Sequence, residues 1–576
     1  MSSGSTGSYI PRWTLAALIG TPIALGLSYL YFRKQASATG SEERKKLEDI
    51  DKSVSIDDQS EVAPASAALP ELSPLERAQK FKAEGNKHFG KGEYDKAILL
   101  YDKAIEECPK TDKIDLATFY QNRAAAYEQL GSFAKVIEDC THALELNQKY
   151  VKALQRRARA YEKSEDYEKS LEDITAVCIL QSFSVQSSLV HADRVLKALG
   201  LRHAKEILVN RKPVKPSKHF VKNYFASFLH DPIVHMSVSS GDGPPRGFVR
   251  AKLAFDRQEY DEIIPACTEE IESANDDTGY RNAATLLRAT FNVITGRFDA
   301  ANKDLGYLLS QEDLDKRMKV NALIKLASLE MQTDKGMDCF QNFTKAEQVD
   351  PTNSDLYHHR GQVYTLLDQL DNALADFTKA VELSPDHGIT YVHKCYAEYR
   401  IAVQTQNRFK LNEVMEEFSK AIDKFPDCVE CFSLMAQILS DQGQFGPADS
   451  FFERACKIDK ENATILVHRG LLQLQWNGNI EEALRYINDA IKLDDKCEFA
   501  YETLGTIEVQ RGNLENAVKL FNQALELAKS EMELIHLCSL KDAAIAQMNV
   551  AKKFGIDIQS IAAQARSNSD AFMPAQ

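Results

Sequence analysis

The stretch Ser354–Pro385, SDLYHHRGQVYTLLDQLDNALADFTKAVELSP, decides the fold. Gly361, Ala373 and Ala380 put small side chains where two helices cross, and Tyr364 and Phe377 fill the space beside them. Pro385 lacks an amide hydrogen and blocks extension of the second helix. The same order of small and aromatic residues returns at a period of roughly 34 residues, from about residue 78 to about residue 529. One copy carries Gly85, Ala97, Tyr101, Ala104 and Pro109. The next has Ala124 beside Ala125, then Tyr127 and Ala143, and a third keeps Ala158 and Tyr161 before departing at Ser170 and Val177. Later copies are anchored on Ala289 and Ala301, Ala327 and Ala346, Ala436, Ala448 and Ala455. Gly470, Ala483 and Ala490 follow, then Gly505, Ala517 and Ala524.

That period resembles the tetratricopeptide repeat (TPR), a helical hairpin that stacks into an α-solenoid. The expectation is an all-α protein with two blocks of about three and about eight repeats. Residues 77–181 form the first block, 182–247 a connecting region, 248–566 the second block and 567–576 a tail. The connecting region predicts helices near Val185–Leu208 and Phe220–Leu229, then a loop from Ser237 to Gly247. An amphipathic run from Met532 to Phe554 is expected to cap the open end, where a terminal hairpin otherwise exposes apolar surface.

Trp13–Phe32 is a 20-residue stretch without a formal charge, the length of a membrane-spanning helix. Only Arg12 precedes it, whereas Arg33, Lys34, Arg44, Lys45 and Lys46 follow, which places the bulk of the chain on the cytosolic side. Residues 1–12 are then a short non-cytosolic tail, 13–32 an anchor and 33–76 a polar tether with no sustained apolar period. A cleaved secretory signal fits less well, because the apolar stretch is too long and Ala36-Ser37-Ala38 lies beyond two charges.

The net charge of −14 argues against a general nucleic-acid binder, since a phosphate backbone is repelled overall. Eleven scattered cysteines fit a reducing compartment better than a disulfide framework. Cys428-Val-Glu-Cys431 lacks a second CxxC, and helix packing explains it better than metal or redox chemistry. Gly85–Lys91 imitates part of a phosphate loop, but Gly92 stands at the Ser/Thr site and the repeat already explains Gly85. His358 and His359 have no partner at metal-ligand spacing, so a groove-lining or solvated role is expected. No cofactor, metal or catalytic constellation is predicted, and the chain reads as a receptor and adaptor rather than an enzyme.

Groove-facing positions of the first block hold Lys82, Asn86, Asn122, Lys152 and Arg156. Two lysines, an arginine and two amides converging from three first helices suit a pair of carboxylates. This set resembles the two-carboxylate clamp of TPR co-chaperones, with K-x-x-G-N at Lys82–Asn86, N-R-A at Asn122–Ala124 and K-A-x-x-R at Lys152–Arg156. The resemblance implies that the five residues grip the C-terminal Glu-Glu-Val-Asp tails of cytosolic heat-shock chaperones.

The same register in the late repeats picks out Glu430, Leu434, Val467, His468, Leu471, Phe499 and Glu502 as a groove for preprotein segments. Apolar surface mixed with carboxylates suits an amphipathic, positively charged peptide, and packing between neighbouring first helices is the competing explanation. Anchor, tether, clamp and long second block together resemble the large TPR receptor of the mitochondrial outer-membrane translocase, the TOM complex. FYQNRAAAYEQL (119–130), YVKALQRRARAYEK (150–163), DITAVCIL (173–180) and YETLGTIEVQRGN (501–513) carry that resemblance. It implies a single-pass protein of the mitochondrial outer membrane that takes preproteins, especially hydrophobic carriers, from chaperones and works with other TOM subunits. The alternative is a membrane-anchored co-chaperone of the endoplasmic reticulum translocon.

Overall fold

The computed structural model describes residues 72–181, 185–209, 211–239, 244–273, 279–332 and 338–557. The predicted tail 1–12, the anchor 13–32, most of the tether 33–76 and the tail 567–576 lie outside these residues. Among the described residues no helix is long and apolar enough to cross a membrane. The described residues form 25 α-helices and one 3₁₀ turn, with no strand.

The helices come in antiparallel pairs. α1 (Pro74–Gly90) pairs with α2 (Tyr94–Glu107), α3 (Lys113–Gln129) with α4 (Phe133–Leu146), and α5 (Val151–Lys163) with α6 (Tyr167–Leu180). Two connecting helices follow, α7 (Gln186–Val209) and α8 (Lys218–Ala226). Pairing resumes with α9 (Gly247–Asp256) and α10 (Ile263–Glu272), α11 (Arg281–Ile294) and α12 (Phe298–Leu309), and α13 (Lys316–Met331) and α14 (Cys339–Val349). It continues with α15 (Ser354–Leu366) and α16 (Leu370–Leu383), α17 (Gly388–Gln404) and α18 (Arg408–Lys424), and α19 (Val429–Asp441) and α20 (Phe445–Ile458). Then come α21 (Ala463–Asn477) and α22 (Ile480–Leu493), α23 (Glu498–Gln510) and α24 (Leu514–Leu527), and finally α25 (Glu531–Phe554).

In three pairs a glycine of the first helix faces an aromatic of the second. A Cβ added at Gly85 would stand 2.6 Å from the Tyr101 ring, one at Gly361 2.9 Å from Phe377, and one at Gly505 2.7 Å from Phe521. One residue before the small site, an arginine repeats the same offset as an ion pair. Arg123, Arg157, Arg288 and Arg360 each grip the aspartate sixteen residues on with both oxygens, at 2.6–2.9 Å: Asp139, Asp173, Asp304 and Asp376. Each arginine also reaches back to the preceding pair, to Asp102, Thr141, Thr268 and Glu347 respectively. Arg469 departs from this pattern and binds only backward, to Asp449 at 2.7 and 3.0 Å and more distantly to Glu453. A bidentate, partly buried pair of this kind fixes both the angle within a hairpin and the step to its neighbour.

Two compact units emerge among the described residues. One comprises 208–504 and 523–534, the other 72–207, 505–522 and 535–557. The repeat pattern alone groups 505–557 with the later hairpins, whereas most of this stretch packs with the early ones. In that unit Gly200 of α7 lies against Ile535 and Ser539 of α25, so a Cβ there would clash with the Ser539 hydroxyl at 2.3 Å. The His203 ring meets Asp542 at 2.8 Å, and Asn549 donates to Glu172 at 2.8 Å. Ala546 and Val550 join Leu171, Ile174, Val195 and Leu199 in one apolar cluster. The helix expected to cap the last hairpin thus also covers α6 and α7.

The glycine contacts predict opposite outcomes for one chemical change. Gly361→Ala forces the Phe377 ring aside and should lower stability by about 1–3 kcal/mol. Gly306→Ala faces open space on α12 and should raise it by about 0.5–1 kcal/mol through helix propensity alone. Urea unfolding of the two variants reads both signs.

Candidate functional site

The five residues of the predicted clamp lie on α1, α3 and α5. Asn122 Nδ2 donates to Asn86 Oδ1 at 3.3 Å, and the Tyr101 hydroxyl donates to the same oxygen at 2.8 Å. The structure therefore joins Asn86 and Asn122 directly. Burial pushes the Tyr101 hydroxyl up to about 12, with the Arg156 charge pulling the other way, so Tyr101 stays protonated and keeps donating. Asn86, its oxygen so occupied, is exposed.

Arg156 is placed by a different set of contacts. Its Nε donates to Glu128 at 2.7 Å and its Nη1 to the Gln121 carbonyl at 3.2 Å. Arg159 grips the other oxygen of Glu128 at 2.7 Å. Burial pushes the Glu128 carboxyl up, but Arg159 and Arg156 more than offset it and hold the group below its ordinary value. Lys152 is exposed and Lys82 half-buried, and among the described residues neither has a carboxylate partner. The structure thus shows two unpaired ammonium groups, a joined amide pair and a guanidinium held in place by a shared carboxylate.

The later set divides differently. Leu434 and Val467 are fully buried and offer no surface to a ligand. His468 is almost as deep, near-parallel to Phe452 at 6.1 Å and 5.4 Å from Phe499. Neither of its ring nitrogens has a partner among the described residues, and burial pushes its pKa down to about 4. Leu471, Phe499, Glu430 and Glu502 are half-buried and retain surface. Cys428 donates its thiol hydrogen to Glu430 at 3.5 Å, and burial pushes the Glu430 carboxyl up. Near Glu502 stand Glu498 and Glu533, with Lys529 as their cation. Burial, followed by repulsion from Glu502 and Glu533, pushes the Glu498 carboxyl up despite Lys529. This acidic group favours a cationic ligand, which restores charge balance without taking up protons.

His358 and His359 are fully buried rather than solvated. His358 stacks on His393 at 5.3 Å and shares a 2.9 Å hydrogen bond with Thr390, while His359 lies 4.2 Å from Phe228. Among the described residues no group of three or more His, Cys, Asp or Glu is arranged to hold a metal ion.

The human mitochondrial import receptor subunit TOM70 is 44% identical over 571 residues, covering 95% of this chain and 93% of its own length. The chain belongs to the TOM70 family of mitochondrial import receptor subunits. The rat member is 43% identical over 580 residues, covering 96% of this chain and 94% of itself. The crystal structure of yeast Tom70 covers 83% of this chain and 99% of its own, at 24% identity and a TM-score of 0.47. Models of a tetratricopeptide repeat-like domain match residues 251–394, and tetratricopeptide repeat models match 469–531, 117–150 and 429–462. The hairpins are therefore tetratricopeptide repeats, and this TOM70-family member is an all-α solenoid.

Tyr101, Glu128 and the Glu498–Lys529–Glu533 group escape a reading by repeat position. Tyr101 reads as a space-filler at its site, and only coordinates reveal that its hydroxyl reaches Asn86.

His468 gives the site a pH signature. Its folded pKa lies below the unfolded value near ~6.5, so the unfolded chain takes up the proton first. Nothing is lost above that value; stability falls as the pH drops through the interval, and the loss reaches about 3 kcal/mol near pH 4. His468→Leu should therefore lose about 3 kcal/mol less stability than the parent between pH 7 and pH 4, as measured by urea titration.

Proposed function

We propose that the chain is a mitochondrial outer-membrane receptor that docks cytosolic heat-shock chaperones at the α1–α3–α5 face and passes their preproteins to the translocase channel. The observation that carries the receptor role is identity of 44% to a named import receptor subunit across almost the full length of both chains. Mitochondrial relatives over 95% of the chain do not favour the endoplasmic reticulum alternative. In this reading Trp13–Phe32 is the single membrane anchor, residues 33–76 tether the solenoid, and other TOM subunits receive the cargo.

The clamp is supported by its charge state. The Arg123 and Arg157 guanidiniums are consumed by aspartates, whereas Lys82 and Lys152 have no carboxylate partner among the described residues. A C-terminal Asp supplies two carboxylates, one for the ammonium groups and one for the guanidinium and amides. Charge-assisted bonds contribute roughly 1.5–3 kcal/mol each, and ordering the tail offsets much of their sum, leaving about −8 kcal/mol or micromolar affinity. Internal targeting signals of hydrophobic carriers bind the later hairpins, where Phe499 and Leu471 meet the apolar face of the peptide and Glu430 and Glu502 its cations.

Arg156→Ala should weaken binding of a Glu-Glu-Val-Asp peptide more than about tenfold by calorimetry, the loss of one charge-assisted contact. The fold should persist because Glu128 keeps Arg159. Unchanged affinity in a folded variant rejects the clamp. A fusion of residues 1–45 to a fluorescent protein should mark mitochondria, and a reticular pattern rejects the placement.

A further inference from the structure

The connector Arg211–His230, RKPVKPSKHFVKNYFASFLH, carries five Lys and Arg side chains and neither Asp nor Glu. Phe220, Val221, Tyr224, Phe225 and Phe228 fall on one face of a helix at this spacing. A basic, aromatic, amphipathic segment has the chemistry proposed above for the receptor's cargo, and it belongs to the receptor itself.

The structure seats this segment on the inward positions of the hairpins that follow it. Asp231 accepts from Lys325 Nζ at 2.9 Å and from Asn321 Nδ2 at 3.3 Å. The amides of Leu229 and His230 donate to Asp355 at 2.9 and 2.8 Å, and Phe228 lies against His359. Asn321 and Lys325 on α13, and Asp355 and His359 on α15, occupy the register that Glu430 and Leu434 hold on α19 and that Thr464 and His468 hold on α21. The connector thus fills the inner face of two hairpins and runs on toward the candidate cargo groove.

Its two ends are held unequally. The Asp231–Lys325 pair is 0% exposed on both sides and anchors the C-terminal end. Toward the N-terminal end Lys215, Lys218 and Lys222 are exposed, Lys215 pairs with Asp261 at 2.9 Å on the surface, and Val221 is the segment's one fully buried side chain. His219 Nε2 meets Asp459 Oδ2 at 2.7 Å, and the Lys529 ammonium sits 3.3 Å above the Phe220 ring. Asp459 and His219 both act electrostatically on Glu430, and Lys529 is the cation shared by Glu498 and Glu533. These contacts place His219 and Phe220 against the acidic groups that a cationic peptide would seek.

We propose that residues 215–223 are a resident competitor of the cargo groove. A peptide with Lys or Arg and aromatic or apolar residues at helical spacing displaces them, while Asp231–Lys325 keeps the connector tethered for return. This inference rests on the cargo reading above. It makes the observed affinity the intrinsic affinity reduced by the fraction of chains with the segment displaced.

The test uses the full chain and a fluorescent synthetic 18-residue amphipathic peptide of Lys, Phe, Leu and Ser, with a scrambled peptide as control. His219→Ala should bind it about three- to tenfold more tightly than the parent, the effect of removing one contact from the closed state. Amide exchange over residues 215–225 of the parent should speed up when the peptide is added. Equal affinity in the two proteins, or weaker binding by the variant, overturns the competitor while leaving the cargo groove standing. Failure of both proteins to bind overturns both readings. Should His219→Ala not fold, exchange in the parent decides: acceleration supports the competitor, and unchanged or slower exchange rejects it.

Discussion

In three hairpins the two helices approach closely where a glycine faces a ring on the partner helix. Gly85 against Tyr101 and Gly361 against Phe377 set that approach, with less than 3 Å between the ring and any added Cβ. The arginine one residue earlier uses the same sixteen-residue offset, so Arg360–Asp376 and Gly361–Phe377 fix the same rotation of the first helix on the second. With rotation fixed, repeat positions two, five, six and nine, counted with the small residue as position eight, form the inward register. Those positions carry Lys82, Asn86, Asn122, Lys152 and Arg156 early in the chain, and Glu430, His468, Phe499 and Glu502 late. A receptor assembled from hairpins needs this rotation held in every unit, because a small error would turn one donor away from the next.

Removing one partner of a buried ion pair typically costs about 3–5 kcal/mol, more than most single contacts on a solenoid. Arg123 and Arg360 spread that dependence across the junctions between hairpins by binding an acid of their own unit and one of the unit before. The arrangement explains how a chain whose hairpins vary widely in sequence keeps one stacking geometry.

The hairpins were legible in the sequence because their period is local, and one copy, Ser354–Pro385, shows every element of it. The five candidate clamp residues could be picked out for the same reason, since each is defined by its place within a repeat. What lay beyond reading depends on segments far apart in the chain. The docking of α25 rests on Asn549 with Glu172, separated by 377 residues, and the path of the connector rests on His219 with Asp459, separated by 240. Leu434 and Val467 obey the inward register yet are fully buried, because position within a repeat says nothing of what covers a side chain. The arginine pairs left a sequence signal that a search for small and aromatic residues passes over: Arg before Ala or Gly, with Asp sixteen residues on.

Under the proposed function, the α1–α3–α5 face alone receives the acidic tail of a chaperone. Amide exchange of the full chain, with and without a peptide ending in Glu-Glu-Val-Asp, tests it most directly. The account predicts slower exchange confined to the inward turns of those three helices, around residues 82–86, 121–125 and 152–156. Protection centred on the later hairpins instead, or no protection at saturating peptide, would contradict it.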